Sequence, residues 1–447
     1  MSHPTKLHAP SPARTRRRRL AVTRSAAVVA GLALTALAVP ATSSAAWDQP
    51  VDVSDTGADA FAPQVALSIH GDGVIAWQRD GAAGQEVQAA TISDSGAIGT
   101  VRTLSSGGSN EQPVVAVDEA GNGLVVWRRT NGGDVVIQSN TLSVTGVAGL
   151  RQIISDPAED ADDPAVGVDE DGAALIAWEY GTGSQRRIQA VTRSAGAVLG
   201  VTATLPGTGG AAVIPEVAMA PGGEAVVAWL GDDGTASRVR ALTVSPAGVP
   251  GLLQTLSTAP VDAENVGVGI DADGDAVVSW LRFTNQHFRV HARTLSAGSA
   301  LGQPLTLSGG GQDAFRPDVA VAADGSSVVA WQRSDGSDFR VQAVALSPAG
   351  APGTVKTLSA RGSDASDPDV AIDAGGDSVI AWDRSSDDRV HARTMTAAGG
   401  LGTREALSDS GRPAGQAQVA GDEDGAAVAV WARNDGSHEI VQAATGP

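Results

Sequence analysis

The sequence contains no cysteine and only one tyrosine and five phenylalanines in 447 residues. Without cysteine there is no disulfide framework, no thiolate metal site and no lipid-modified anchor. A fold must then be held by its own packed core. The scarcity of aromatics outside a regular tryptophan series leaves few platforms for stacking a sugar, which counts against both a glycosidase and a lectin. No G-x-S-x-G, H-E-x-x-H or phosphate-binding loop is present. No Asp or Glu precedes Trp47, and no second long apolar run follows it, which predicts release rather than membrane anchoring.

The first 46 residues do carry Lys6, six arginines (Arg14, Arg16 to Arg19, Arg24), the apolar run AAVVAGLALTALAV and then ATSSAAW. Basic, apolar and small-residue segments in that order predict a secretory signal peptide over residues 1–46, cleaved near Ala46. The run TRRRRL also fits a twin-arginine signal, and both export routes lead out of the cytoplasm. Removing the leader leaves 24 basic against 50 acidic residues, a net charge of −26. Such a chain repels phosphate backbones, so nucleic acid is excluded as a partner, and a soluble, secreted monomer is expected.

Beyond the leader, roughly 400 residues exceed an ordinary single core, which points to several domains or a repeat. Trp77, Trp127, Trp178, Trp229, Trp280, Trp331, Trp382 and Trp431 recur at a nearly constant interval, marking eight units over 47–447. Six positions before each stands a glycine, as at Gly172 and Gly325, where a hairpin turn requires positive φ. Twelve before each stands a valine followed by Ala or Gly. Apolar runs such as VVA lead into the Trp, a strand of the form V-Q-A follows it, and a fourth short strand ends in T-L-S. Each unit thus reads as a four-stranded antiparallel meander.

Repeated meanders of this length predict an all-β fold, an eight-bladed β-propeller, with an open solenoid as competitor. The chain ends favour the ring. The last unit stops after its third strand at IVQAATGP, while DVS at residues 52–54 aligns with T-L-S of the other units. Residues 47–54 are therefore expected to complete the last blade and close the ring, with Val53 in the core.

The stretch PDVAIDAGGDSVIAWDR, Pro368 to Arg384, resembles the repeats of uncharacterised secreted β-propeller proteins of high-GC actinobacteria. The resemblance spans all eight units and implies fold and export; it carries no functional residues. The Asp-box of sialidase-type propellers is not matched, because Asp precedes Gly by three positions and Gly precedes Trp by six.

Candidate sites follow from the repeat and its departures. An arginine stands two positions after Trp in six units, and four of these have an aspartate twenty positions earlier. These predict ion pairs Asp59–Arg79, Asp262–Arg282, Asp313–Arg333 and Asp364–Arg384 on one rim. The third unit instead has Asp160 with Tyr180, and the fourth has Ala211 with Gly231. A ligand is rarely eightfold, so Tyr180 and Gly231 are candidate binding positions. Asp271, Asp273 and Asp275 on a glycine turn are the candidate ligands for Ca²⁺, the rival reading being an ordinary hairpin turn. His287 and His291 lie ~13 Å apart along a strand, too far for one metal. The expected function is an extracellular binding or interaction module for a protein or glycan ligand, with no cofactor required. The alternative is a hydrolase or lyase with its site on the loop-rich rim of the channel, and a structural envelope role is a third reading.

Overall fold

The computed structural model describes residues 46–447 apart from 208, 209 and 259, so the predicted leader lies outside it except for Ala46. Eight four-stranded antiparallel sheets form a ring. Blade 6 is representative: Ala314–Val321, Ser327–Ser334, Phe339–Leu346 and the short outer strand Lys356–Thr357. First strands of successive blades contact one another all the way round, including Ala414–Gly421 of blade 8 against Ala60–Leu67 of blade 1. They therefore line the axis, and the chain forms an eight-bladed propeller.

The core lies between blades. Each tryptophan is buried against the blade before it: Trp331 packs with Val277, Leu281 and Val290 of blade 5, and Trp77 with Val428, Val430 and Val441 of blade 8. Removing such a ring to Ala costs about 3–5 kcal/mol. Small residues facing it, such as Ala66, Ala76 and Ala89 around Trp127, leave room for the indole.

Except in blade 7, the fourth strand is a mere pair of residues, because the T-L-S serine takes over the ladder. The hydroxyl of Ser359 accepts the Val341 N–H at 3.0 Å, and the Leu358 N–H is donated to the Val341 carbonyl at 2.9 Å. Ring closure reproduces this in blade 8. Val51–Asp52 pairs with Glu439–Gly446, the Val53 N–H reaches the Val441 carbonyl at 2.8 Å, and Ser54 Oγ accepts the Val441 N–H at 2.9 Å. Val53 is 4% exposed, a core residue as expected.

The hairpin joining first and second strands explains the repeated glycine twice over. At Gly172, φ is +85°, and a Cβ would lie 3.1 Å from Asp118 Oδ2 of the preceding blade. Asp118 meanwhile accepts the Asn122 N–H through Oδ1 at 2.8 Å. The pattern recurs with Asp169 at Gly223, Asp271 at Gly325, Asp373 at Gly425 and, across the closure, Asp422 at Gly71. One carboxylate caps its own turn and abuts the next blade's turn, which only a residue without a side chain permits. Among the described residues no helix is long and apolar enough to cross a membrane.

Deleting residues 47–54 should remove a buried valine and several hydrogen bonds and bare the edge of blade 8. The expected cost is at least ~3 kcal/mol. The truncated protein should melt lower and aggregate in a concentration-dependent way, measured by scanning calorimetry with light scattering; a melt equal to the parent's would refute closure by this strand.

Candidate functional site: the channel mouth

At one end of the ring lie the hairpins between second and third strands and the loops that lead from blade to blade. Every first strand starts there with a β-bulge, marked by a register shift such as Phe315/Asp318. The bulged residue has positive φ although it is never glycine: Ala62, Gln112, Asp163, Ile214, Asn265, Arg316, Asp367 and Gln416, with φ from 46° to 63°. In six blades proline follows, which removes an N–H that the interrupted ladder could not satisfy. Bulged residues of adjacent blades meet. Gln112 Nε2 donates to Asp163 Oδ1 at 2.7 Å, Gln416 Oε1 accepts the Ala62 N–H at 2.7 Å, and Arg316 pairs with Asp367. The eight bulges form a collar around the mouth, linked to one another at these three seams.

Behind the collar sits the residue after each Trp, which varies from blade to blade. In blade 3 it is Glu179, 2% exposed, which accepts the Ile214 N–H of blade 4 at 2.7 Å and Arg186 Nη1 at 2.7 Å. Burial, reinforced by Asp163, holds its pKa well above the usual carboxyl range. In blade 7 it is Asp383, which accepts the Gln416 and Ala417 N–H groups of blade 8 at 2.8 and 3.3 Å. Burial, with Asp367 adding to it, pushes Asp383 up to about 7. Gln332 does the same job in blade 6, accepting the Asp367 N–H at 3.0 Å. Non-repeating carboxyl groups therefore gather in two places, blades 3 and 7, half a turn apart. Each main group holds a neighbouring bulge in place.

The expected aspartate–arginine pairs do not form as drawn. Asp59, Asp262, Asp313 and Asp364 instead accept backbone N–H groups at the start of the preceding blade's third strand: Glu439, Ser237, Phe288 and Phe339, at 2.7–3.0 Å. The outer strand is too short to satisfy those donors, and a carboxylate entering the next blade lies beside them. The arginines bind other groups of the rim: Arg79 pairs with Asp55, Arg433 with Asp409 and Arg384 with Asp387, while Arg333 donates to the Gly310 carbonyl at 2.8 Å.

Tyr180 and Gly231 lie on this rim, each opposite a third-strand arginine that blades 5, 6 and 7 also carry in the same register, at Arg289, Arg340 and Arg389. Tyr180 pairs in register with Arg187, whose Nη1 donates to the Gly210 carbonyl at 3.2 Å. Gly231 pairs with Arg238, which donates to the Val261 carbonyl at 3.0 Å and to Asp233 Oδ2 at 2.7 Å. Asp271, Asp273 and Asp275 lie at the opposite end of the ring. Asp271 Oδ1 accepts the Asp273 and Asp275 N–H groups at 3.0 and 2.8 Å, and Asp275 Oδ1 accepts the Ala297 N–H at 2.8 Å. His287 faces Asp313, while His291 stacks on Trp280 with centroids 5.9 Å apart and is pushed down to about 4 by burial and the nearby Arg282 and Arg289.

Sequence reading missed an aromatic strip. Four of the five phenylalanines form a chain across blades 5 and 6 on the mouth rim: Phe283–Phe288 at 5.1 Å, Phe288–Phe315 at 5.2 Å and Phe315–Phe339 at 5.9 Å. Phe288 and Phe315 lean on the inter-blade core, and Phe283 is 45% exposed. Their uneven spacing along the chain hides the cluster until blades are laid side by side.

No protein-family model matches the chain, and no curated protein matches it. Among solved structures, the BP39L lectin from Burkholderia pseudomallei aligns with a TM-score of 0.51 at 10% identity, over 80% of this chain and 100% of that one. Polysaccharide lyase Uly1 aligns with a TM-score of 0.48 at 10% identity, over 74% and 89%. A puromycin hydrolase mutant complexed with PGG gives 0.49 at 15% identity, over 87% of this chain and 60% of that one. Identities this low speak to the fold alone.

The carboxyl groups generate two expectations. A buried acid with a raised pKa stabilises the fold below the carboxyl pKa of the unfolded chain, and that stability is lost as pH rises through the folded-state value. Glu179→Gln with Asp383→Asn keeps one acceptor oxygen at each site, enough for the bulge N–H of Ile214 or Gln416, and removes the titration. Relative to the parent, the double variant should therefore gain stability steadily between pH 4.5 and 8, by roughly 2 kcal/mol or more, read from denaturant melts. A difference measurement is needed because His291, held neutral, acts in the opposite sense below its ordinary pKa. At the Asp271 turn, backbone donors already engage one oxygen each of Asp271 and Asp275, as in an ordinary hairpin turn, so melting temperatures in Ca²⁺ and in chelator should coincide.

Proposed function

We propose that the protein is a secreted, extracellular binding module, monomeric and free of any required cofactor, that takes a glycan on the mouth rim of its propeller. The observation that carries this reading is the phenylalanine strip. It breaks the eightfold repeat, runs unbroken across two blades, and ends in an exposed aromatic side chain at Phe283, the residue type on which a sugar stacks. Secretion rests on the basic and apolar leader of residues 1–46.

The alternative, a hydrolase or lyase working at the channel mouth, draws on Asp163 with Glu179 and on Asp367 with Asp383. Against it, Glu179 and Asp383 hold backbone donors and the two groups lie half a ring apart, so they do not converge on one reacting atom.

Affinity electrophoresis through gels containing neutral and uronic-acid polysaccharides tests the reading. Phe283→Ala, at an exposed position, should leave the melting temperature unchanged and abolish the retardation seen with the parent. Retardation that survives the substitution would place the ligand elsewhere, and turnover of a polysaccharide lost in Glu179→Gln would favour the enzyme.

A further inference from the structure

The opposite end of the ring carries a second departure from the repeat. In blades 2, 3 and 4 the turn between third and fourth strands exposes two large apolar side chains: Val147 and Leu150, Val198 and Val201, Val249 and Leu252. Their exposures run from 62% to 93%. The same register positions hold Ala97 and Thr100 in blade 1, Ala300 and Gln303 in blade 5, Ala351 and Thr354 in blade 6, and Gly400 and Thr403 in blade 7. Three adjacent blades therefore share an apolar ridge that the others lack.

The three turns are physically joined. Gln152 of blade 2 donates to the Ala197 carbonyl of blade 3 at 3.1 Å, and Gly248 of blade 4 lies against the Thr192 methyl of blade 3. A recess of about 440 Å³ opens between blades 3 and 4, walled by Val198, Leu199, Met219, Val244 and Pro246, with Asp169 also lining it. Ridge and recess lie side by side on one end of the ring, and a contiguous exposed apolar surface on a soluble protein marks an interaction site.

Charge decides what covers it. None of the turns between first and second strands carries Lys or Arg, whereas those of blades 2 to 4 carry Asp118, Glu119, Asp169, Glu170, Asp171 and Glu224. Of the basic groups nearby, Arg102 is engaged with the Gly146 carbonyl and Arg193 is buried at the recess, which leaves Arg151 exposed beside the ridge. An anionic bilayer is repelled by such a border. A second copy would set one acidic rim against another. We infer that the ridge of blades 2 to 4 docks a polypeptide segment of a partner protein whose apolar side chains are flanked by Lys or Arg, with apolar side chains of that segment entering the recess beside Asp169. This surface is separate from the mouth rim and does not depend on the glycan reading.

The probe is a labelled amphipathic Leu/Lys peptide, with a Leu/Glu peptide of equal length as control, followed by fluorescence anisotropy at physiological salt. The variant combines Leu150→Thr, Val201→Thr and Leu252→Thr, placing at each site the residue that blades 1, 6 and 7 carry in the same register, so folding is retained and charge is unchanged; calorimetry checks both proteins. The parent should bind the Leu/Lys peptide saturably and the variant at least about tenfold more weakly, with Phe283→Ala binding as the parent does. The inference is overturned by absent binding, by equal binding to the variant, or by equal binding of the Leu/Glu peptide. It is also overturned if sedimentation reveals a parent dimer that the substitutions dissociate, or if parent but not variant floats with phosphatidylglycerol vesicles.

Discussion

Each blade has two apolar faces and can bury them only against its neighbours, and everything else in the molecule depends on that. The tryptophan of one blade is seated on the strands of the one before, so no unit is stable alone and a row of units would leave two faces bare. Curving the row into a ring removes both. The closing sheet must then be completed from both ends of the chain, and Val51 to Ser54 supply the outer strand and serine that blade 8 lacks.

Polar groups set how the blades meet, at both ends of the ring. At the turn end, one aspartate caps its own hairpin and presses on the glycine of the next, a contact that recurs across the closure from Asp422 to Gly71. At the mouth, side chains after the tryptophan hold the strained bulges of the next blade. Positive φ at the non-glycine bulge residues costs of order 1–3 kcal/mol each, and Glu179, Gln332 and Asp383 offset part of that by satisfying the bulge N–H. The raised pKa of the two carboxyls is a consequence of that placement. Perturbed titration at a channel mouth is therefore insufficient here to argue catalysis.

Departures from symmetry sort into two kinds once the blades are laid over one another. Tyr180 and Gly231 stand where other blades have arginine, yet Arg187 and Arg238, directly across the ladder, still reach the inter-blade loop, as Arg289, Arg340 and Arg389 do in blades that carry both arginines. That loop stays anchored without the missing arginine. The phenylalanine strip and the apolar ridge instead gather apolar side chains on a few blades, with Phe283 and the ridge residues exposed to solvent. Surfaces of that kind are where an eightfold scaffold acquires one-sided function.

The order of strands, their turns, the buried tryptophans and the closing strand were legible in the sequence because they are encoded locally. A glycine six positions before Trp or a serine after T-L imposes its backbone geometry wherever the unit lies. The bulges were not legible, since Ala, Gln, Asp, Ile, Asn and Arg share no chemistry beyond a following proline in most blades. Nor were the partners of Asp59 or Asp313, which depend on a hairpin one blade back. The sequence by itself determined the unit, the count of eight and the way the ring shuts. Only the tertiary structure decided which residues face one another at the mouth and on the rim, because those contacts join side chains of different blades, distant along the chain and brought together by stacking.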